Sequence, residues 1–90
     1  MRQLRFTGAF RKDRKRASRR GKDLHKLDAI MGRLAQAERL DARHHDHKLG
    51  GAWEDFRECH VEPDWLLIYR VVGDEITFVR TGTHSDLFEE

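Results

Sequence analysis

The hydrophobic and polar positions divide the chain into a first half with helical spacing and a second half with strand-like spacing. Polar and apolar side chains alternate over residues 2–6, which is typical of a short strand. Thr7 is a suitable N-cap and Gly21 a suitable end for a helix between them. Asp23 can cap a second helix that runs to about Glu38. The apolar side chains of this second helix form one core-facing stripe, made of Leu24, Leu27, Ile30, Met31 and Leu34.

The second half of the chain predicts three antiparallel strands after a connecting loop at residues 40–51. These strands are Trp53–His60, Trp65–Val72 and Glu75–Arg80. A tight turn at residues 73–74 joins the last two strands. The middle strand is apolar on both faces, so we expect it to be central in the sheet and covered. The order of one strand, two helices and three strands predicts an α+β fold with helices packed on a small sheet.

Length and composition limit the kind of protein that this sequence encodes. Its 90 residues are enough for one domain, residues 1–90, with a modest core. The single cysteine, Cys59, excludes an internal disulfide and suits a reducing compartment. No apolar run reaches the roughly 18–20 residues of a membrane span, and the first residues lack a signal-peptide core. We therefore expect a cytoplasmic protein.

The net charge of +2 conceals a strong division of charge along the chain. Residues 1–39 contain 13 Lys and Arg against 4 Asp and Glu, whereas residues 40–90 contain 5 against 12. Concentrated positive charge favours a polyanionic partner such as a nucleic acid, and the alternative is a solvated helix face. The basic residues concentrate in the first predicted helix, as Arg11, Lys12, Arg14, Lys15, Arg16, Arg19 and Arg20.

Candidate chemistry lies in two short segments, His60-Val-Glu-Pro-Asp-Trp65 and Arg80-Thr-Gly-Thr-His84. Their strands fold back on one another, which brings two histidines, a carboxylate and an arginine to adjacent strand ends. One such group can remove the proton of a ribose 2′-OH, and another can protonate the departing 5′-oxygen. A cation can stabilise the charge on the phosphorus centre. Together the residues indicate acid–base chemistry on a phosphodiester.

Each of these residues also has an ordinary structural explanation. A histidine such as His60 at a strand end is more often hydrogen-bonded than catalytic, and Asp64 suits turn capping. Trp65 is either core or a surface for base stacking. Arg80 ends an apolar strand, so it needs an anion, either a carboxylate of this chain or a phosphate. His84 follows a Thr-Gly-Thr turn, which we expect to be a flexible mount.

A histidine-rich segment precedes the predicted strands and raises the question of a metal site. It contains His44, His45, Asp46 and His47, and histidines at this density can bind zinc or nickel. No second ligand cluster at a usual structural spacing accompanies it, and the lone Cys59 is a poor fourth ligand. We therefore expect no metal or other cofactor, and an exposed polar loop with one functional histidine.

The candidate residues stand in a pattern that resembles the RelE superfamily of bacterial toxins, specifically its YafQ branch. The similar segments are His47-Lys-Leu-Gly-Gly-Ala-Trp53, Arg57, His60-Val-Glu-Pro-Asp-Trp-Leu-Leu-Ile-Tyr69, Arg80-Thr-Gly-Thr-His84 and Leu87-Phe88. The resemblance covers nearly the whole chain and includes the basic first helix. One departure is Lys48, which stands where proline commonly follows the first histidine, and this predicts a looser loop around His47.

The resemblance implies a toxin of a type II toxin–antitoxin system that cuts messenger RNA in the ribosomal A site. It also implies a small curved sheet with two helices on one side and the site on the other. The expected partners are the ribosome, contacted by the basic helix, and an antitoxin with an acidic tail and a dimeric DNA-binding module. The residues that correspond by position to the family's acid–base groups are His47, His60, Asp64 and His84. Those that correspond to residues shaping the site or holding the RNA are Trp65, Arg80 and Phe88.

We favour His84 as the general acid and Asp64 or His60 as the base, with His47 as a second candidate for either task. Arg80 would stabilise the phosphorane. The 2′-OH is an internal nucleophile, so this chemistry needs no metal, and the expected product is a 2′,3′-cyclic phosphate. His44 and His45 match no catalytic position of the family, so we expect both to be dispensable.

Two alternatives remain at the level of the sequence. One is a non-catalytic toxin of the same fold, similar to the ParE toxins that inhibit DNA gyrase, which has no use for the set of histidines. The other is a stand-alone RNA-binding or metal-binding module.

Overall fold

A computed structural model describes residues 1–88, and its helices and strands follow the predicted order. The strands are β1 (Gln3–Phe6), β2 (His47–Lys48), β3 (Arg57–Glu62), β4 (Trp65–Val72) and β5 (Glu75–Gly82). The helices are α1 (Gly8–Arg19), α2 (Leu24–Ala35) and α3 (His84–Phe88). Glu89 and Glu90 lie outside the described residues. The predicted α+β class, with a strand, two helices and then antiparallel strands, is confirmed.

Local capping explains where the two long helices begin. The Thr7 hydroxyl accepts a hydrogen bond from the backbone N–H of Phe10 at 2.9 Å, and the Asp23 carboxylate accepts one from His25 at 3.0 Å. Both predicted N-caps are thereby confirmed. The second helix ends at Ala35 rather than near Glu38, because Ala37 adopts a left-handed conformation with φ 59° that a continuing helix excludes.

The sheet has the strand order β1-β5-β4-β3-β2 within the described residues. The central position predicted for β4 is confirmed, and all of its pairings are antiparallel. β1 pairs in parallel with β5, in the register Gln3 to Glu75 and Phe6 to Phe78. The predicted strand from Trp53 begins instead at Arg57, because the preceding residues 51–53 form a 3-10 turn.

The two faces of the sheet are covered differently, and this difference positions the site. The helices α1 and α2 pack on one face around buried residues that include Phe10, Leu27, Tyr69 and Phe78. On the other face a smaller cluster joins Leu66, Ile68 and Leu87, with Trp53, Phe56 and Phe88 packed against it. α3 begins at His84, two residues after β5 ends, and the turn after β3 contacts it through Asp64. The ends of β3 and β5 thus meet the start of α3 at one edge of the molecule. In the part of the chain that is described, no helix is long and apolar enough to cross a membrane.

Two register shifts in the sheet lie next to the candidate residues. One lies between His60 and Glu62 on β3, and the other, opposite Ile68 and Tyr69 of β4, inserts Val79 into β5. A bulge re-aims the side chains that follow it. On β5 it places Thr81, rather than Arg80, in the fully buried position on the helix side.

Candidate active site

The structure brings all four predicted acid–base residues to one end of the sheet. His47 lies on β2, His60 on β3, Asp64 in the turn after β3, and His84 is the first residue of α3. The ring centroids of His60 and His84 are 5.9 Å apart. His47 and His60 both approach Glu58, which lies between them. Segments that are up to 37 positions apart in the sequence thus form one cluster of titratable groups.

Reciprocal capping holds His84, and the turn before it is not the flexible mount that the sequence suggested. The N–H of Thr83 donates to the Asp86 carboxylate and the N–H of Asp86 donates to the Thr83 hydroxyl, both at 3.0 Å. This is a capping box. Gly82 is required here, because a Cβ at that position would lie 2.9 Å from an Asp86 carboxylate oxygen. Arg20 pairs with Asp86 at 2.7 Å and helps to hold its pKa well below the usual range.

Asp64 binds His84 directly. One Asp64 oxygen, Oδ1, accepts hydrogen bonds from the backbone N–H of His84 at 2.9 Å and from its ring Nδ1 at 2.6 Å. These two bonds lower the pKa of Asp64, so its carboxylate remains ionised at neutral pH. Because an ionised carboxylate only accepts, Nδ1 of His84 carries a hydrogen and Nε2 is the atom at which the ring gains or loses a proton.

Carbonyl groups fix the other two histidines in the same tautomer. Nδ1 of His60 donates to the carbonyl of Pro63 at 3.2 Å, and Nδ1 of His47 donates to the carbonyl of His45 at 2.6 Å. A carbonyl can only accept, so Nε2 is again the exchangeable atom in each ring. The proposed looser loop around His47 is wrong, because His47 pairs with Glu58 in the short strand β2.

Glu58 is the residue at this site that sequence reasoning missed. Its side chain is only 7% exposed, and its Oε1 lies 3.6 Å from Nε2 of both His47 and His60. A proton accepted by either imidazole would therefore lie beside a buried carboxyl group. The signal in the sequence was present but weak, since Glu58 is two residues before His60 on a strand and so shares its face.

Arg80 has the anion that the sequence required, and it is a carboxylate of this chain. Asp13, on α1, accepts hydrogen bonds from Nε of Arg80 at 2.6 Å and from its Nη2 at 3.1 Å. The same carboxylate accepts the N–H of Thr81 at 3.1 Å and pairs with Arg16. The hydrogen bonds from Arg80 to the Asp13 carboxylate raise the pKa of Arg80. The structure therefore supports Arg80 as a residue that joins α1 to β5, and gives no support to a free phosphate ligand at this position.

The two predicted aromatic RNA contacts differ in their surroundings. Trp65 is 1% exposed, and its Nε1–H donates to the Thr81 hydroxyl at 3.0 Å. Its ring is not available to a base, so the stacking role is wrong and Trp65 is core. Phe88 is only half-buried and lies edge-on to Trp53, with ring centroids 6.0 Å apart. Phe88 therefore retains an accessible face.

The histidine-rich segment lies against the site rather than apart from it. Nδ1 of His44 donates to the carbonyl of His60 at 2.7 Å, and the His45 ring meets the His60 ring edge-on at 5.5 Å. The described residues contain no group of three or more His, Cys, Asp or Glu arranged to hold a metal ion. Cys59 is fully buried in the core, and this burial raises the pKa of its thiol to about 12.

Comparisons with known proteins identify the family to which this chain belongs. Residues 2–89 match the family described as a bacterial toxin of type II toxin–antitoxin systems, YafQ. The mRNA interferase toxin YafQ of Escherichia coli strain K12 is 43% identical over 88 residues, which is 97% of this chain and 96% of that protein. A chain of the E. coli DinJ–YafQ toxin–antitoxin complex superposes with a TM-score of 0.90, at 43% identity and over 97% of both chains. A copper-bound variant toxin from Helicobacter pylori superposes with a TM-score of 0.93, at 40% identity, over 98% of this chain and 100% of that one. This chain therefore belongs to the YafQ family of bacterial toxins of type II toxin–antitoxin systems.

Proposed function

We propose that this toxin cleaves messenger RNA on the ribosome by acid–base catalysis through the 2′-OH. It is an endoribonuclease by family, because its relatives of nearly equal length are mRNA interferases. The observation that carries the catalytic part is the pair His60 and His84, with ring centroids 5.9 Å apart and a carboxylate beside each ring. Two imidazoles at this separation can flank one phosphodiester. A gyrase-binding toxin has no use for such a pair.

In this reaction the His60 ring accepts a proton and the His84 ring donates one. Neutral His60 removes the 2′-OH proton through Nε2, and the resulting imidazolium is stabilised by the buried Glu58. The 2′-oxygen attacks phosphorus, and the bond from phosphorus to the 5′-oxygen breaks. Protonated His84 gives its Nε2 proton to that oxygen. The products are a 2′,3′-cyclic phosphate and a 5′-OH end.

Asp64 acts through His84 in this scheme rather than as the base. Its lowered pKa makes it a weak proton acceptor, whereas its negative charge favours the imidazolium form of the ring that it contacts. His47 shares Glu58 with His60 and remains the second candidate for the base. The rate contribution of each well-placed acid or base is about 10²–10⁴-fold.

The dependence on the ribosome has a direct test. Expression without an antitoxin should stop growth, with relief when the antitoxin is co-expressed. In single-turnover assays, messenger RNA in programmed ribosomes should be cut within its reading frame, and the same RNA without ribosomes should be cut far more slowly. Equal rates on the two substrates would contradict the ribosomal part of the proposal. A ribosomal substrate also places the activity in the cytoplasm.

The basic helix supplies a surface for ribosomal RNA. Some of these basic residues are already paired: Arg14 of α1 lies 2.9 Å from Asp28, and Arg20, directly after α1, lies 2.7 Å from Asp86. Arg11, Lys15 and Arg19 are exposed and follow one another at intervals of four, so they form one stripe along the helix. This stripe is the part of the predicted basic surface that is best placed to contact phosphates.

Charge reversal within the stripe should weaken binding in a salt-dependent way. We expect Lys15→Glu to lower affinity for ribosomes and to reduce the slope of log affinity against log salt by about one. Arg39→Glu makes the same charge change at an exposed position after α2 and serves as the control. Binding would be measured by co-sedimentation at several salt concentrations. An unchanged slope for Lys15→Glu would show that the stripe does not contact phosphates and is an ordinary solvated surface of the helix.

The antitoxin partner is proposed from charge and from the family. The E. coli relative YafQ occurs in a solved structure of the DinJ–YafQ toxin–antitoxin complex. Since the first 39 residues of this chain carry most of its positive charge, an acidic antitoxin segment that folds on binding would complement them. A small dimeric DNA-binding module at its other end would let the complex regulate its own operon.

A further inference from the structure

A groove of about 960 Å³ lies beside the acid–base residues, between α2 and residues 43–45. One wall contains His60 and Asp64, so the groove is continuous with the site of cleavage. Its apolar lining includes Ile30 and Val61, and the exposed Ala29 of α2 faces into it. Its volume is near the upper end of the ~300–1,000 Å³ typical of small-molecule pockets. It can therefore hold a nucleotide with room at its open side.

The imidazole of His45 forms part of this groove and is held in an unusual way. His45 has φ 46°, which lies in the left-handed region that residues other than glycine rarely adopt. Its backbone is fixed from both sides, since its N–H donates to Ala42 at 3.1 Å and its carbonyl accepts from His47 at 2.6 Å. Its ring packs edge-on against the His60 ring, with an interplanar angle of 69°. An exposed aromatic ring is thus presented next to a catalytic one.

The next residue anchors the segment to the sheet. Asp46 accepts a hydrogen bond from the Tyr69 hydroxyl at 2.5 Å and another from Nε of Arg57 at 3.3 Å. Burial raises the pKa of Tyr69, so the hydroxyl remains a donor. The segment that carries His45 and His47 is consequently anchored to the sheet.

We propose that this groove binds the nucleotide adjacent to the cleaved bond, with its base stacked on the ring of His45 and its phosphate near Arg43. The proposal rests on the endoribonuclease function above. It departs from the sequence-based expectation that His44 and His45 are dispensable. Imidazole faces are among the platforms on which unpaired RNA bases stack.

An RNA strand fits this groove better than a protein segment for two reasons. A strand whose phosphodiester lies between His60 and His84 can continue into the groove, because His60 and Asp64 both line it. The side chain of Arg43, at the rim, is 78% exposed. Its contact with the Asp41 carboxylate is long, at 3.8 Å, so a phosphate can compete for it. The opposite rim is formed by Lys26 and Arg33 of α2.

The test separates the ring of His45 from its backbone. His45→Asn keeps a residue that tolerates the left-handed conformation but removes the aromatic ring. We expect about 10-fold weaker binding of RNA that carries a 2′-deoxy nucleotide at the cleaved position and so cannot react, because the variant lacks the ring on which the base stacks. The loss should be larger when the adjacent base is a purine than when it is a pyrimidine. His25→Ala removes a histidine on the exposed side of α2, away from the groove, and should bind RNA like the wild type.

A second pair of variants tests the groove without touching any histidine. Ala29→Trp fills it from the exposed surface of α2, and Ala29→Ser is the matched control at the same position. We expect the Trp variant to lose at least 10-fold in RNA affinity and the Ser variant to match the wild type, with equal thermal melts. The uncleavable RNA is presented in programmed ribosomes, so this measurement reports affinity apart from the rate of the chemical step.

Three results would overturn the proposal. One is unchanged RNA affinity in both His45→Asn and Ala29→Trp. Another is an equal loss with every adjacent base, which would make His45 a support for His60 alone. The third is a loss of antitoxin binding in Ala29→Trp with RNA affinity intact, which would assign the groove to the antitoxin.

Discussion

His84→Ala should lower the rate of single-turnover cleavage by about 10²–10⁴-fold while leaving the fold intact, because it removes the group that protonates the departing oxygen. This corresponds to about 3–5 kcal/mol in the activation barrier. The change in stability should be small, because the His84 side chain is 42% exposed and its partner Asp64 is 65% exposed. The capping box that holds the start of α3 uses Thr83 and Asp86, which remain.

The rate measurement needs thermal melts beside it, so that lost chemistry is distinguished from lost structure. Asp64→Asn is the informative companion, because it removes the charge that favours protonated His84 and should lower the rate less than removal of the ring itself. His25→Ala is the control for a histidine outside the site. A fully active His84→Ala enzyme would overturn the assignment of the general acid.

The elements of the fold were predictable where their determinants are local. Thr7 and Asp23 act within three residues of themselves, and the alternation of β3 to β5 is a property of each strand alone. The parallel pairing of β1 with β5 was not predicted, since it joins residues about 70 positions apart. The bulge at Val79 was also missed, because an inserted residue leaves the apolar pattern of a strand almost unchanged.

The site was predictable in its residue types more than in its partnerships. The sequence indicated that His60, Asp64 and His84 would meet, because they lie at neighbouring strand ends. It did not indicate that Glu58 would be buried, since that burial depends on β2 and on residues 49–56 folding over the sheet. It also treated His45 as an extra residue, because a ring contact across 15 positions has no local signature.

Asp13 illustrates the same limit with larger consequences, because it stands in the middle of a basic block and the sequence analysis assigned it no role. In the structure it is 5% exposed and is the anion for Arg80. We expect Asp13→Ala to lower the free energy of unfolding by about 2–3 kcal/mol. Removal of one partner of a buried ion pair costs roughly 3–5 kcal/mol, and the 29% exposure of the Arg80 side chain reduces that penalty. Urea unfolding at fixed pH and salt would measure the change.

The matched control is Asp28→Ala, which removes the same type of side chain from the exposed pair between Arg14 and Asp28. An exposed pair contributes about 0–1 kcal/mol, so this variant should unfold close to the wild type. Asp13→Asn should fall between the two, since an amide oxygen can still accept the N–H of Thr81 while the charge beside Arg80 is lost. If Asp13→Ala were as stable as Asp28→Ala yet bound RNA differently, Arg80 would be a phosphate ligand after all. A stability loss confined to the Asp13 variants instead identifies the Asp13 carboxylate, through Arg80 and the N–H of Thr81, as the connection that holds the basic helix on the sheet.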